Sequence, residues 1–200
     1  MYFSASSLVK KSARQLIYLK QKNVKKRPTK RQRAGNEYAA KVATSKYVEM
    51  RGSYKTASDY WIYFSFDEVK PKKNHTELIE IKQVQRGSPH WYLEQSLLQC
   101  AFYRALFLKS NKRLQTATFA QKRFVARKLN LQGKKTFSIL KFGNKKYKIY
   151  IRNSGAILDF FTHKAEIISS LDYEKALDFD KRFKHKEFHH LRKFFTFRLT

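Results

Sequence analysis

The chain has 200 residues, enough for one packed domain, and a content of 42% hydrophobic and 16% aromatic residues excludes a disordered chain. Its 44 Lys and Arg against 15 Asp and Glu give a formal charge of +29, so the expected partner is a polyanion, nucleic acid before any other. No run of about 18 apolar residues exists to span a bilayer, and the single Cys100 excludes an intramolecular disulfide and a Cys-rich zinc site, as expected of an intracellular protein.

Residues 1–34 read as a basic N-terminal arm or targeting segment, and 35–200 as a single domain. The first 33 residues hold eleven Lys and Arg and no acid. Within them SSLVKKSARQLIYLKQK sets Leu8, Leu16, Ile17 and Leu19 among cations, an amphipathic helical pattern. The run KKRPTKRQR offers Lys25, Lys26, Arg27, Lys30, Arg31 and Arg33 as phosphate-gripping residues. An organelle transit peptide and a nuclear import signal fit the same composition.

From Gly35, AGNEYAAKVATSKYVEM reads as a helix carrying Glu37. The loop RGSYKTASD follows, with Arg51 and Lys55 as further phosphate contacts, and leads into YWIYFSFDEV, where Ile62, Phe64 and Phe66 alternate onto one strand face. After the turn KPKKNH, TELIEIKQ returns as the second strand of a hairpin. WYLEQSLLQCAFYRALFLK has no breaker and reads as a long helix with Leu93, Leu97, Ala101 and Leu108 on its apolar face. AQKRFVARKLNLQ reads as a short helix ended by Gly133. KTFSILKFGNKKYKIYIRN reads as a hairpin turning at Gly143 and Asn144, and SLDYEKALDFDKRFKHKEFHHLRKFF as an amphipathic helical tail. The order predicts an α/β or α+β fold, a mixed β-sheet flanked by helices.

The chemistry is concentrated in TELIEIKQ. With a side-chain period of two, Glu80 and Lys82 leave the same face of the strand while Ile79 and Ile81 bury the other. Phosphodiester cleavage uses a hard cation held by carboxylates to polarise the phosphate and to lower the pKa of a water, with a nearby lysine to stabilise developing charge. The sequence supplies acids in a fitting order: Glu37 on a helix, Asp59 at a strand start, and Glu80 with Lys82 at the end of the next strand.

These residues resemble the PD-(D/E)XK nuclease superfamily, especially its Holliday-junction-resolvase-like and RecB-like branches. AGNEY resembles the first motif, RGSYKTASDYWIYF the Arg, Gly-Ser, Asp and apolar-strand motif, and LIEIK the E-x-K motif. QSLLQCAFY resembles the RecB-type helix, with Gln95, Gln99 and Tyr103 on one stripe. The resemblance implies a restriction-endonuclease-like fold and a metal-dependent nuclease, endonuclease or exonuclease, acting on DNA. It implies Glu37, Asp59 and Glu80 as ligands of Mg²⁺ or Mn²⁺, Lys82 as the catalytic cation, and Gln95, Gln99 and Tyr103 in support. Junction cutting would favour a homodimer.

Two alternatives stay open. Asp67 stands opposite Glu80 if the hairpin turns between Lys73 and Asn74, and it gives a shorter spacing to the E-x-K motif; Asp59 is preferred because an apolar strand follows it. E-x-K is also a weak pattern in a lysine-rich chain, since Glu68-Val69-Lys70, read as a solvated hairpin tip, satisfies it too. The charge alone therefore also fits a non-catalytic nucleic-acid-binding protein, either a degenerate nuclease fold or a packaging or ribosomal module. No G-x-S-x-G elbow and no G-x-x-x-x-G-K-[ST] loop is present.

Overall fold

The computed structural model describes residues 1–22, 30–84, 88–120, 123–183 and 186–200. All nine strands among them join one open mixed sheet, most of them through alternating apolar side chains. Its strands are β1 (Tyr2–Ser4), β2 (Tyr47–Lys55), β3 (Trp61–Pro71), β4 (Thr76–Lys82), β5 (Arg113–Ala120), β6 (Arg123–Asn130), β7 (Thr136–Phe142), β8 (Lys145–Ile151) and β9 (Phe195–Leu199). The spatial order is β6-β5-β2-β3-β4-β7-β8-β9, with β1 laid parallel against β3. The expected β3–β4 and β7–β8 hairpins both form, the latter turning through Gly143 at φ 57°.

β4 and β7 pair in parallel, so the chain must cross over between them, and α4 (His90–Lys109) makes that crossover together with the β5–β6 hairpin. α4 is buried on nearly every side from Ser96 to Phe107 rather than along one stripe. The sheet takes one side, and α5 (Ser154–Ser170) takes another, with Phe102 stacked on Phe161 at 4.0 Å between ring centres. Arg104 ties the helix to β7 by donating to Thr136 O at 2.8 Å and to Thr136 Oγ1. On the other sheet face, α3 (Lys30–Val42) sets Tyr38, Ala39 and Val42 against Ile79, Ile81 and Ile139.

Four segments depart from the sequence reading. Residues 1–21 are part of the domain rather than an arm beside it. β1 extends the sheet, and α1 (Ala5–Lys10) and α2 (Ala13–Gln21) bury Ala5, Leu8, Val9, Ala13 and Ile17, of which the Leu, Val and Ile are worth roughly 2 kcal/mol each in removed apolar surface. Of the predicted phosphate-gripping residues, Lys25, Lys26 and Arg27 lie outside the described residues, while Lys30, Arg31 and Arg33 belong to α3.

The helix beginning near Gly35 ends at Val42 instead of running to Met50. Glu68, fully buried, accepts from Thr44 N at 2.8 Å and Ser45 N at 2.7 Å, which turns the chain there and frees Tyr47 onward for β2. Glu68 also pairs with Lys141 at 3.0 Å, so the second E-x-K is a structural brace and not a solvated tip. The helix read over 120–132 is replaced by β6, because β5 supplies it an antiparallel partner from Arg113↔Asn130 to Ala120↔Arg123. The tail is helical through α6 (Tyr173–Phe183) and α7 (Glu187–Leu191), then extends as β9, whose Phe195 and Phe197 turn to the same face as it pairs with β8.

Candidate active site

The hairpin forks at its acidic end. The β3–β4 ladder runs from Pro71↔Thr76 to Glu68↔Ile79, and there β4 leaves β3 while keeping its register with β7 through Lys82↔Phe142. The same edge of β3 is taken up again by β1, from Ser4↔Tyr63 to Tyr2↔Trp61. Asp67 lies where the two strands part. Its Oδ2 accepts from Ile81 N at 2.7 Å, so a side chain closes the first position that the backbone ladder no longer reaches.

Glu80, 4% exposed, turns from β4 toward α4. Its Oε1 accepts from Lys82 Nζ and, at 2.7 Å, from Gln99 Nε2, which also donates to Tyr103 OH at 2.9 Å. Gln99 and Tyr103 share one face of α4 because they are four residues apart, as the sequence stripe anticipates. Tyr103 is braced by the rings of Phe64 and Phe66 at 6.4 and 6.1 Å between centres. Gln95, one turn earlier, is half-buried and is not among the groups bonded to Glu80.

Two of the other sequence candidates fall elsewhere. Asp59 sits in the β2–β3 turn at φ 63°, 80% exposed, and its carboxylate meets Lys55 at 2.5 Å. The Lys55 hydrogen bond holds its pKa below the usual carboxylate value. β3 from Trp61 to Asp67 alone spans ~20 Å at ~3.3 Å per residue, which puts the Asp59 turn far beyond a shared coordination sphere of ~2–2.6 Å ligand bonds. Glu37 is exposed on α3, the helix that covers the Ile79–Ile81 face, whereas Glu80 turns to the α4 face. Arg51 is exposed on β2 with Glu49 at 4.0 Å, and Lys55 is occupied by Asp59.

The Gly of the RGSY motif has a packing role. A Cβ on Gly52 would lie 2.4 Å from Cζ of Phe64, its cross-strand partner, and Phe64 is 3% exposed against Tyr103. Gly52→Ala is therefore expected to destabilise the fold by ~1–3 kcal/mol through overpacking, read as a lower midpoint in urea at unchanged slope.

Electrostatics separate the two acids from ordinary surface carboxylates. Burial, and then the charge of Glu80, raise Asp67 from 3.8 to about 7, against the opposing pull of Lys82, Ile81 N–H and Lys10. Burial alone would lower Lys82, but Glu80 and Asp67 outweigh it and keep the ammonium charged above its ordinary value. Burial also lifts the Cys100 thiol and the Tyr103 phenol well above their usual values, so both stay neutral beside the acids.

The site also carries unmet hydrogen-bond demand. Among the described residues, Glu80 Oε2 and Gln99 Oε1 are buried with no donor, which is costly unless an electrophile supplies the missing partner. Two neighbouring oxygen acceptors and a second carboxylate form the donor set that a hard divalent cation takes. No third His, Cys, Asp or Glu joins them among the described residues.

Lys10, at the end of α1, is a charged neighbour of the site that the sequence reading missed. Lys82, Glu80 and Asp67 all act on its charge. Nothing in local sequence marks it, since its position depends on β1 pairing with a strand almost sixty residues away. Comparison with protein-family models, with curated proteins and with solved structures returned no match. No helix among the described residues is long and apolar enough to cross a membrane.

Proposed function

We propose that the protein is a divalent-metal-dependent nuclease of PD-(D/E)XK type, with a restriction-endonuclease-like fold, that hydrolyses phosphodiester bonds in DNA at junctions, flaps or ends. The observation that carries this reading is the convergence of Asp67 and Glu80, with Lys82 and Gln99, at the fork between β3 and β4. Asp67 and Glu80 would hold Mg²⁺ or Mn²⁺, which fits the orphaned Glu80 Oε2 and the unmet carbonyl of Gln99. Such a cation, when bound, polarises a phosphoryl oxygen and lowers the pKa of a water.

The chain's own residues do the rest. Gln99 and Lys82 grip one oxygen of Glu80, which fixes the carboxylate's rotamer and leaves the other oxygen for the ligand. Lys82 offers a charge held in place before any substrate arrives, in a setting with little water to screen it. A formal charge of +29 gathers the substrate, with affinity that falls steeply with salt. A homodimer would present two such sites to a branched substrate.

The test is incubation of the purified chain with labelled four-way junction, duplex and single-stranded DNA in Mg²⁺ or Mn²⁺. Cleavage is expected to fall on the order of 100-fold or more in Glu80→Gln and Lys82→Ala. Unchanged cleavage in both variants would remove the site from the reading. The shortage of a third acidic or imidazole ligand among the described residues favours a second reading, a degenerate nuclease fold that binds nucleic acid without cutting it. That reading requires salt-sensitive binding with no metal-dependent product on any of the three substrates.

A further inference from the structure

Among the described residues, α3 covers one part of the sheet face opposite α4: it packs Tyr38, Ala39 and Val42 on Ile79, Ile81 and Ile139, and the face continues past it onto β8 and β9. Alternation puts Lys146, Lys148 and Tyr150 of β8 and Thr196 and Arg198 of β9 on this outer face, because Tyr147, Ile149, Phe195 and Phe197 take the core side. Tyr150 stays 37% exposed there, beside the small Thr196 as its cross-strand partner, and Arg198 is exposed.

Charge on this face is compensated at one end and left over at the other. β7 and β8 set Lys141 opposite Lys146, and each has a carboxylate: Lys141 meets Glu68 at 3.0 Å and Lys146 meets Glu77 at 3.5 Å. β8 and β9 set Lys148 opposite Arg198 in the same way, but among the described residues neither has an acid partner. They have rings instead. Lys148 Nζ lies 3.5 Å from the ring centre of Phe137 and 5.5 Å from that of Tyr150, and Arg198 Cζ lies 5.9 Å from the Tyr150 ring. Like charges directly across a strand pair repel, the ring faces offset a part of that, and an anion lying across both cations would remove the rest. The face therefore combines a cation pair that lacks counter-charge with an open aromatic ring, the two parts with which proteins hold single-stranded nucleic acid. A base within a duplex is already stacked between its neighbours, so a duplex would meet the cations alone. The patch is separate from the acid pair: Glu80 turns to the α4 face, and Phe137 lies ~17 Å along β7 from Phe142, the partner of Lys82.

We propose that the outer face of β8 and β9 binds single-stranded nucleic acid, with a base stacked on Tyr150 and the adjoining phosphates on Lys148 and Arg198. This rests on the nucleic-acid part of the reading above and not on cleavage. Flaps and frayed ends carry such an unpaired strand, so the face favours them over intact duplex.

The experiment follows the fluorescence anisotropy of a labelled oligothymidylate, and of a labelled duplex of the same length, titrated with the full-length chain in chelator, where no metal-dependent cleavage occurs. Tyr150→Ala is expected to weaken single-strand binding about tenfold or more and to leave duplex binding within about twofold, whereas Tyr150→Phe, which keeps the ring, binds as the wild type does. Lys148→Gln combined with Arg198→Gln is expected to weaken binding of both and to flatten the salt dependence for the single strand by roughly 1.4 in log–log slope, two phosphate contacts at ~0.7 each. Lys72→Gln combined with Lys73→Gln, at the exposed β3–β4 turn, is the control. An equal loss in that control means diffuse charge with no defined surface, and overturns the proposal. So does single-strand binding that Tyr150→Ala leaves unchanged, and so does an equal loss on duplex. A wild type that binds phosphatidylserine vesicles and neither oligonucleotide overturns it too, and the nucleic-acid reading with it. Tyr150-dependent binding by a chain that cuts no substrate upholds the proposal and overturns the nuclease reading alone. Should Tyr150→Ala lose its native circular dichroism, Tyr150→Leu, which keeps apolar bulk without a stacking face, replaces it.

Discussion

Asp67→Asn is expected to abolish metal-dependent cleavage, by ~10³-fold or more, while Asp59→Asn keeps the wild-type rate within about twofold. Asp67 closes the fork between β3 and β4 through Ile81 N and shares its electrostatic surroundings with Glu80 and Lys82. Asp59 is a turn residue neutralised by Lys55 and 80% exposed. The Asn amide keeps a carbonyl oxygen to accept from Ile81 N, so the variant should fold and elute as the wild type does. What it loses is the negative charge that would hold a divalent cation beside Glu80. The measurement is steady-state cleavage of the preferred substrate in Mn²⁺ for both variants, beside their urea denaturation curves. Loss of activity in Asp59→Asn with survival in Asp67→Asn would move the reaction centre away from the fork.

The choice between those two aspartates shows what the sequence could and could not carry. The E-x-K strand and the helix stripe of Gln99 and Tyr103 follow from side-chain period, and the alternative that sets Asp67 opposite Glu80 follows from a hairpin turn between Lys73 and Asn74; the structure brings these residues together. The preference for Asp59 weighed which residues follow the acid, whereas the position of the fork depends on where β1 displaces β4 along the edge of β3, and β1 lies outside the hairpin. The same distinction explains the remaining differences. Glu68 looks like a surface acid until Thr44, Ser45 and Lys141 arrive from two other elements. The cations of residues 1–21 suggested a solvated arm, yet five small or apolar side chains among them are buried once α5 and α6 are in place. β6 carries helix-compatible residues, and pairing with β5 overrides that preference. Local period reads the elements; the neighbours that decide their use are set by distant parts of the chain.

Metal binding and pH should be coupled through Asp67, and this is the second large effect. Its pKa of about 7 in the folded protein lies above its ordinary 3.8, so the fold holds the proton more tightly than the unfolded chain does. The stabilisation this gives is complete below about pH 4 and is lost as pH rises through 7, a change of up to ~4 kcal/mol. Lys82 does not blur the window, because its folded pKa is raised above 10.5 and its stabilisation is lost only in alkali. Glu68 runs the other way: its pKa is lowered, so its contribution is present above its unfolded value near 4.5 and lost in acid, below the range that Asp67 controls. In chelator, the urea stability of Asp67→Asn relative to wild type is therefore expected to rise from pH 5 to pH 8, since the variant has no carboxylate to ionise beside Glu80. Saturating Mn²⁺ should reverse the ranking at pH 8, where wild type offers it two charged carboxylates, and should do less at pH 5, where a proton competes for Asp67. A wild-type-to-variant difference that stays flat from pH 5 to 8, with and without Mn²⁺, would mean that Asp67 and Glu80 do not share one buried charge, and the acid pair would then be no place for a cation.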